Sequence, residues 1–105
     1  MSALPALTAE DRAAALEKGH AARRHRAEVK SRVRSGATTA AAVLRDAEAD
    51  EVLAKMKVFE LVTSVPGVGK VRAQQIMTRL GISDDRRLRG LGTNQRQALE
   101  HEFAA

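Results

Sequence analysis

The residues best placed to do chemistry lie in Leu61–Gly81, LVTSVPGVGKVRAQQIMTRLG. A tight turn, Pro66-Gly67-Val68-Gly69, joins two stretches of helical periodicity and is followed at once by Lys70, Val71 and Arg72. Glycine tolerates positive φ and presents no Cβ to an approaching backbone. The amides around Gly67 and Gly69 can converge as an anion-binding nest. The start of the following helix adds unsatisfied N–H groups and the positive end of its dipole. Lys70 and Arg72 bring charge to the place a phosphate would occupy. Val65, Val68, Ala73 and Ile76 are spaced to fix the angle between the two helices. Such a turn grips a phosphate and reads no base. The plain alternative is a helix–turn–helix connection that uses glycine for geometry alone.

A second basic segment, Arg86-Arg87-Leu88-Arg89-Gly90, has three arginines within four positions. Guanidinium groups so clustered suit phosphates or a narrow minor groove. The alternative here is a solvated loop whose arginines pair with Asp84, Asp85 and Glu100. Arg23, Arg24 and Arg26 would spread over more than one face of a helix, which leaves a solvated arm and a DNA contact equally open.

Catalytic readings fare worse. Gly69-Lys70 lacks the rest of a nucleotide-binding P-loop: Ser64 stands where the first glycine belongs and Val71 where Ser or Thr would bind the metal. Asp84 or Asp85 beyond the hairpin could be cast as a glycosylase aspartate, but 105 residues with two aromatics, Phe59 and Phe103, leave no room for a base-flipping pocket. His20 and His25 are five apart, poorly aligned for one helical metal site, and His101 stands alone, so all three are expected at the surface. No enzyme, cofactor, metal or small-molecule substrate is expected.

The elements that position these residues are helical. Thr8 is a good N-cap with Glu10 and Asp11 behind it, and helix-compatible sequence runs to a stop at Gly36. Its middle, Lys18 to Arg26, has almost nothing to bury, which predicts an arm projecting from a core reached at Val29 and Val33. Thr38 or Thr39 starts a second helix to about Glu48 that buries Val43, Leu44 and Ala47. Asp50 and Glu51 open a short segment with Val52, Leu53 and Met56. Val58, Leu61, Val62 and Val65 then mark one buried face, and Ala73, Ile76, Met77 and Leu80 the next. Ser83–Gly92 reads as a loop or single turn. Thr93 is expected to cap a last helix anchored by Leu99 and Phe103. The expected organisation is an arm over 1–36 and a binding domain over 37–105.

Composition agrees with a nucleic-acid partner. The net charge is +5 and the pI about 10.4, a balance that favours polyanions. Residues 12–36 carry eight Lys/Arg against two Glu, 37–64 three against five acids, and 65–92 six against two Asp. Two basic blocks therefore flank an acidic middle. There is no cysteine for a disulfide framework, no apolar run long enough to span a membrane, and no secretory pattern in Met1–Pro5. The expected compartment is the cytoplasm.

The hairpin resembles the helix–hairpin–helix and helix–two-turn–helix families. Gly67-Val68-Gly69, Ala73, Ile76, Gly81-Ile82, Arg86 or Arg87, and Thr93 onward are also similar to the N-terminal domain of ribosomal protein S13. Over nearly its full length the chain resembles the actinobacterial integration host factor family. The matching stretches are Leu7-Thr8, Arg12–Lys18, Ala22-Arg23-Arg24, Lys55–Val58, Val68–Val71 and Arg86–Gly92. It differs from that family around Gly19-His20, His25 and Ala37–Asp50. The resemblance implies an all-α, S13-like helix–two-turn–helix fold with a long N-terminal helical arm. It also implies binding to double-stranded DNA with little sequence preference, as a nucleoid-associated protein acting in DNA topology, compaction and site-specific recombination. The family's DNA-contacting regions fall here on Val65–Arg72 and Ser83–Gln95. The expected contacts are Val65, Pro66, Gly67, Val68, Gly69, Lys70, Val71 and Arg72 in the first. In the second they are Arg86, Arg87, Arg89, Gly90, Gly92, Asn94 and Gln95. The protein is expected to be a monomer in solution. An RNA- or ribosome-binding S13-like protein is the alternative.

Overall fold

A computed structural model describes residues 8–104. The stretch Met1–Pro5 read for targeting, and Leu7 of the family resemblance, lie outside the described residues. Six α-helices and one 3-10 turn make up the fold, with no strand among the described residues. The long α1, Ala9–Ser35, begins in a reciprocal cap. The Asp11 amide donates to Thr8 Oγ1 at 3.0 Å, and the Thr8 amide donates to Asp11 Oδ2 at 3.1 Å. Donation to the Asp11 carboxylate by the Thr8 amide, and then by the Thr8 hydroxyl, favours the charged form and holds the group below the ordinary aspartate range. The helix ends at Gly36.

Three short helices follow. α2, Ala40–Asp46, is capped by Thr39, whose Oγ1 accepts from the Ala42 amide at 3.1 Å. α3, Glu51–Ala54, is capped by Asp50, whose Oδ1 accepts from the Leu53 amide at 3.1 Å. α4, Val58–Ser64, has no side-chain cap, and the tertiary fold supplies one instead: the Val58 amide donates to the Arg86 carbonyl at 2.9 Å. Beyond the turn come α5, Gly69–Arg79, the 3-10 turn Leu88–Gly90, and α6, Thr93–Glu102.

The helices close on one core. Val29 and Val33 of α1, Val43 and Leu44 of α2, Leu53, Met56, the Val58, Leu61 and Val62 face of α4, Ala73, Ile76 and Met77 of α5, Ile82, Leu88 and Leu99 are all buried. Each large side chain so removed from water contributes roughly 1.5–3 kcal/mol before chain entropy is subtracted. Val65, Val68, Leu80 and Phe103 pack against this core from its edge. α4 lies on α5 and on α1, α2 on α6, and α1 on α3.

Two expectations need correction. Thr93 does not cap the last helix: it is the first helical residue, and Gly92 holds the capping position. The side chain that does the capping is Gln95, whose Oε1 accepts from the Gly92 amide at 3.1 Å. His25 is not a plain surface residue. It is half-buried, and its Nε2 lies 2.7 Å from Asp50 Oδ2. This contact ties the upper arm to the start of α3.

Candidate nucleic-acid interface

The turn between α4 and α5 has the backbone that a phosphate grip requires. Gly67 and Gly69 lie at φ +80° and +67°, in the left-handed region where a Cβ is strained. Nothing lies within 4 Å of the place a Cβ would occupy on either, so that approach is open to a ligand. Ser64, at the position of the missing P-loop glycine, is buried in the last turn of α4 with its Oγ donating to the Glu60 carbonyl at 2.8 Å. It cannot form part of a phosphate loop.

The Val68 amide is spent on the Val65 carbonyl at 3.1 Å. The amides of Gly67, Gly69, Lys70 and Val71 have no acceptor among the described residues, and no side chain caps α5. They are the unsatisfied donors of a helix start, aimed along its positive dipole end. Lys70, Val71 and Arg72 are exposed beside them; Val71, at 76% exposure, is a large apolar side chain left in water. Val65 and Val68 are half-buried and anchor the turn, while Pro66 and Gly67 form its exposed tip. Behind the tip, Arg72, Ile76, Glu102 and Phe103 complete a shallow groove with Val65–Val68, so the end of α6 braces the hairpin.

The arginine segment is held by backbone. The Leu88 amide donates to the Met56 carbonyl at 2.9 Å and the Val58 amide to the Arg86 carbonyl, so Lys57 and Arg87 pair as an isolated antiparallel bridge. Met56 and Leu88 point inward and are buried. Lys57 and Arg87 are the extended residues of the bridge. Lys55, Arg87 and Arg89 are exposed around it and Lys57 is half-buried. Arg87 donates to the Lys55 carbonyl, and Arg86 Nη1 donates to the Gly90 carbonyl at 2.9 Å. A Cβ on Gly90 would come within 3.1 Å of Arg86 Cδ, so glycine there lets the arginine stem fold over the turn.

None of these arginines forms an ion pair among the described residues, nor does Lys70 or Arg72. Of the three carboxylates offered as their alternative partners, Asp84 and Glu100 are engaged by other side chains, and the exposed Asp85 forms no ion pair among the described residues. Asp84 Oδ1 accepts from Gln74 Nε2 at 2.9 Å, and Glu100 lies 3.7 Å from Arg96. The Gln74–Asp84 bond also joins the two basic segments. Gln74 is one turn past Lys70 on α5, about 6 Å along the helix, and Asp84 opens the arginine loop. The helix that follows the hairpin turn is thus tied to the start of the arginine loop.

Comparison with known proteins agrees with this geometry. Residues 33–103 match the S13-like H2TH domain family. The chain is 60% identical over 103 residues to the integration host factor of Mycobacterium tuberculosis, covering 98% of each chain. It is 57% identical over 103 residues to the integration host factor of Streptomyces coelicolor, covering 98% of this chain and 96% of that one. The chain belongs to the actinobacterial integration host factor family. A solved structure, of sIHF bound to an 8-base-pair palindromic DNA, superposes with a TM-score of 0.81 at 55% identity, covering 84% of this chain and 99% of that chain. The all-α, S13-like class read from the sequence is therefore correct.

Within the integration host factor fold, the second predicted region divides by use. Arg86, Arg87, Arg89, Gly90, Gly92 and Asn94 are exposed. Gln95 is half-buried and engaged at both ends of its amide, accepting from Gly92 and donating from Nε2 to the Gly81 carbonyl at 3.0 Å. Its work inside the fold is to hold α6 to the end of α5. Sequence reading missed Lys55 and Lys57 as members of the basic surface. Residue type alone gave no signal for them, because Lys55 closes α3 in helical backbone and only Lys57 is extended, and it is the pairing of Lys57 with Arg87 that places them at the interface.

Proposed function

We propose that this chain binds double-stranded DNA through backbone phosphates, largely without sequence preference, as a nucleoid-associated architectural protein rather than an enzyme. The observation that carries the reading is the uncapped start of α5 tied through Gln74 and Asp84 to the arginine loop, where Lys70, Arg72, Arg86, Arg87 and Arg89 form no ion pair among the described residues. The related sIHF, solved bound to DNA, supports the same partner. The turn Val65–Arg72, through Gly67, Gly69, Lys70 and Arg72, takes one phosphate track. Arg86, Arg87 and Arg89, with Lys55 and Lys57, take a neighbouring track or groove, flanked by Gly90, Gly92 and Asn94. Two grips on one duplex constrain its path, and this is how the protein would influence topology, compaction and site-specific recombination. The chain acts as a monomer in the cytoplasm, on the nucleoid. Residues 37–105 form the binding unit and 1–36 the arm, anchored on it by Val29 and Val33.

Gel-shift titration on random duplex DNA and matched double-stranded RNA at two salt concentrations tests this. Tighter binding to DNA, weakening with salt, is expected. Tighter binding to RNA would replace this reading with the ribosomal alternative.

A further inference from the structure

The long helix continues its core-facing stripe past the core. From Val33 and Val29 the same face runs through Arg26, His25, Ala22, Ala21 and Lys18, at helical spacings of three and four. Opposite this stretch lie Glu51, Val52 and Lys55. Together they line a groove of about 290 Å³ between α1 and α3. Its floor is apolar, with the half-buried Ala22 and Val52 and the exposed Ala21 at its edge, and its polar groups are mostly cationic. Lys55 is 3.6 Å from Glu51, the one carboxylate that lines it, and His25 is taken by Asp50. Lys18 and the half-buried Arg26 have no ion pair or side-chain hydrogen bond among the described residues. A partly desolvated guanidinium without an acceptor favours an anion from outside the chain.

We propose that this groove is a third phosphate contact for the duplex, a reading that rests on the DNA-binding function above. Two features select a polymer backbone over a free nucleotide. The volume falls just under the roughly 300–1,000 Å³ of sites that enclose small molecules, and Lys18, Ala21, Glu51 and Lys55 are exposed along it. The groove is also continuous with the basic surface, because the Lys55 carbonyl accepts from Arg87. Lys18 and Arg26 are eight residues apart, about 12 Å of helix. That length matches about three and a half nucleotide steps of one strand at about 3.4 Å of duplex axis each. Deoxyribose faces would rest on Ala21, Ala22 and Val52 while Lys18, Arg26 and Lys55 meet the phosphates.

The test is the salt dependence of binding to a random 20-base-pair duplex by Lys18→Gln/Arg26→Gln. The control is Arg23→Gln/Arg24→Gln, which removes equal charge from residues that do not line the groove. Removing one cation that meets a phosphate makes the plot of log affinity against log salt shallower by about 0.9. The groove variant should therefore lose about 1.8 of slope by that relation, and the control close to none. Lys18→Gln alone, at an exposed position, should lose about 0.9 and guards against a folding defect. An unchanged slope in the groove variants, or equal loss in groove and control, overturns the proposal. If Arg86→Gln/Arg87→Gln still lowers the slope in that event, the main function stands and the groove alone fails. Deoxythymidine monophosphate shifting the Ala21 and Ala22 amide resonances where the duplex does not would also overturn it, in favour of a free-nucleotide site.

Discussion

Arg87 and Arg89 differ in a way that separates DNA contact from folding. Arg89 is exposed and has no partner among the described residues, whereas Arg87 donates to the Lys55 carbonyl and its backbone pairs with Lys57. Changing either to Gln removes one charge from the DNA-facing surface. Each should therefore lower the salt slope by about 0.9. Over a fourfold rise in salt that amounts to about a 3.5-fold smaller loss of affinity than in the unmodified protein, by the same linear relation. Stability should respond differently. Arg87→Gln forfeits a hydrogen bond from a charged but exposed donor, which costs about 1 kcal/mol. For a chain of this size that lowers Tm by about 4–8 °C. Arg89→Gln should leave Tm within a degree or two. Fluorescence anisotropy at four salt concentrations, with a thermal melt of each variant, reads both quantities. A slope unchanged by Arg89→Gln would refute the role assigned to the loop. A Tm equally lowered by both variants would refute the division of labour between them.

Three other outcomes follow from particular contacts. Gly67→Ala places a Cβ on a residue at φ +80° with open space around it, so the cost is backbone strain of about 1–2 kcal/mol, read as a lower Tm, and DNA affinity should fall beyond what that explains. Gln74→Ala unties the hairpin helix from Asp84 and should weaken DNA binding several-fold, whereas Asp84→Asn keeps an acceptor, removes a negative charge beside the phosphates and should strengthen it; equilibrium titration giving the same sign for both would count against the tether. For Asp50, burial raises the carboxyl pKa, but the His25 contact and the Leu53 and Val52 amides outweigh it and hold the group below the ordinary aspartate range. Stability from this group is present above that range and lost as pH falls through the lowered folded value, so Asp50→Asn should flatten the decline of Tm below about pH 4; an unchanged acid limb would show that Asp50 contributes nothing there.

The sequence by itself determined the helices and the glycine turn. Thr8, Thr39 and Asp50 cap where their side chains dictate, and the apolar faces of α4 and α5 are written at three- and four-residue spacing, because both features depend on neighbours within one or two turns. The positive φ at Gly67 and Gly69 was legible for the same reason. Misreading Thr93 as a cap came from composition, since a threonine before a helix is the commoner solution and Gln95 reaching back to Gly92 is not visible in residue type. What only the tertiary structure decided is which distant segments meet. Lys55 and Lys57 join the arginine loop through two backbone hydrogen bonds across some thirty residues. His25 reaches Asp50 across twenty-five. The middle of α1, read as having nothing to bury, proves to overhang α3 and make a groove. Backbone amides and carbonyls carry no sequence signature, and a stripe of alanines looks the same whether it faces water or another helix. Such pairings are fixed only when burial of Val29, Val33, Met56 and Leu88 in one core brings those segments together.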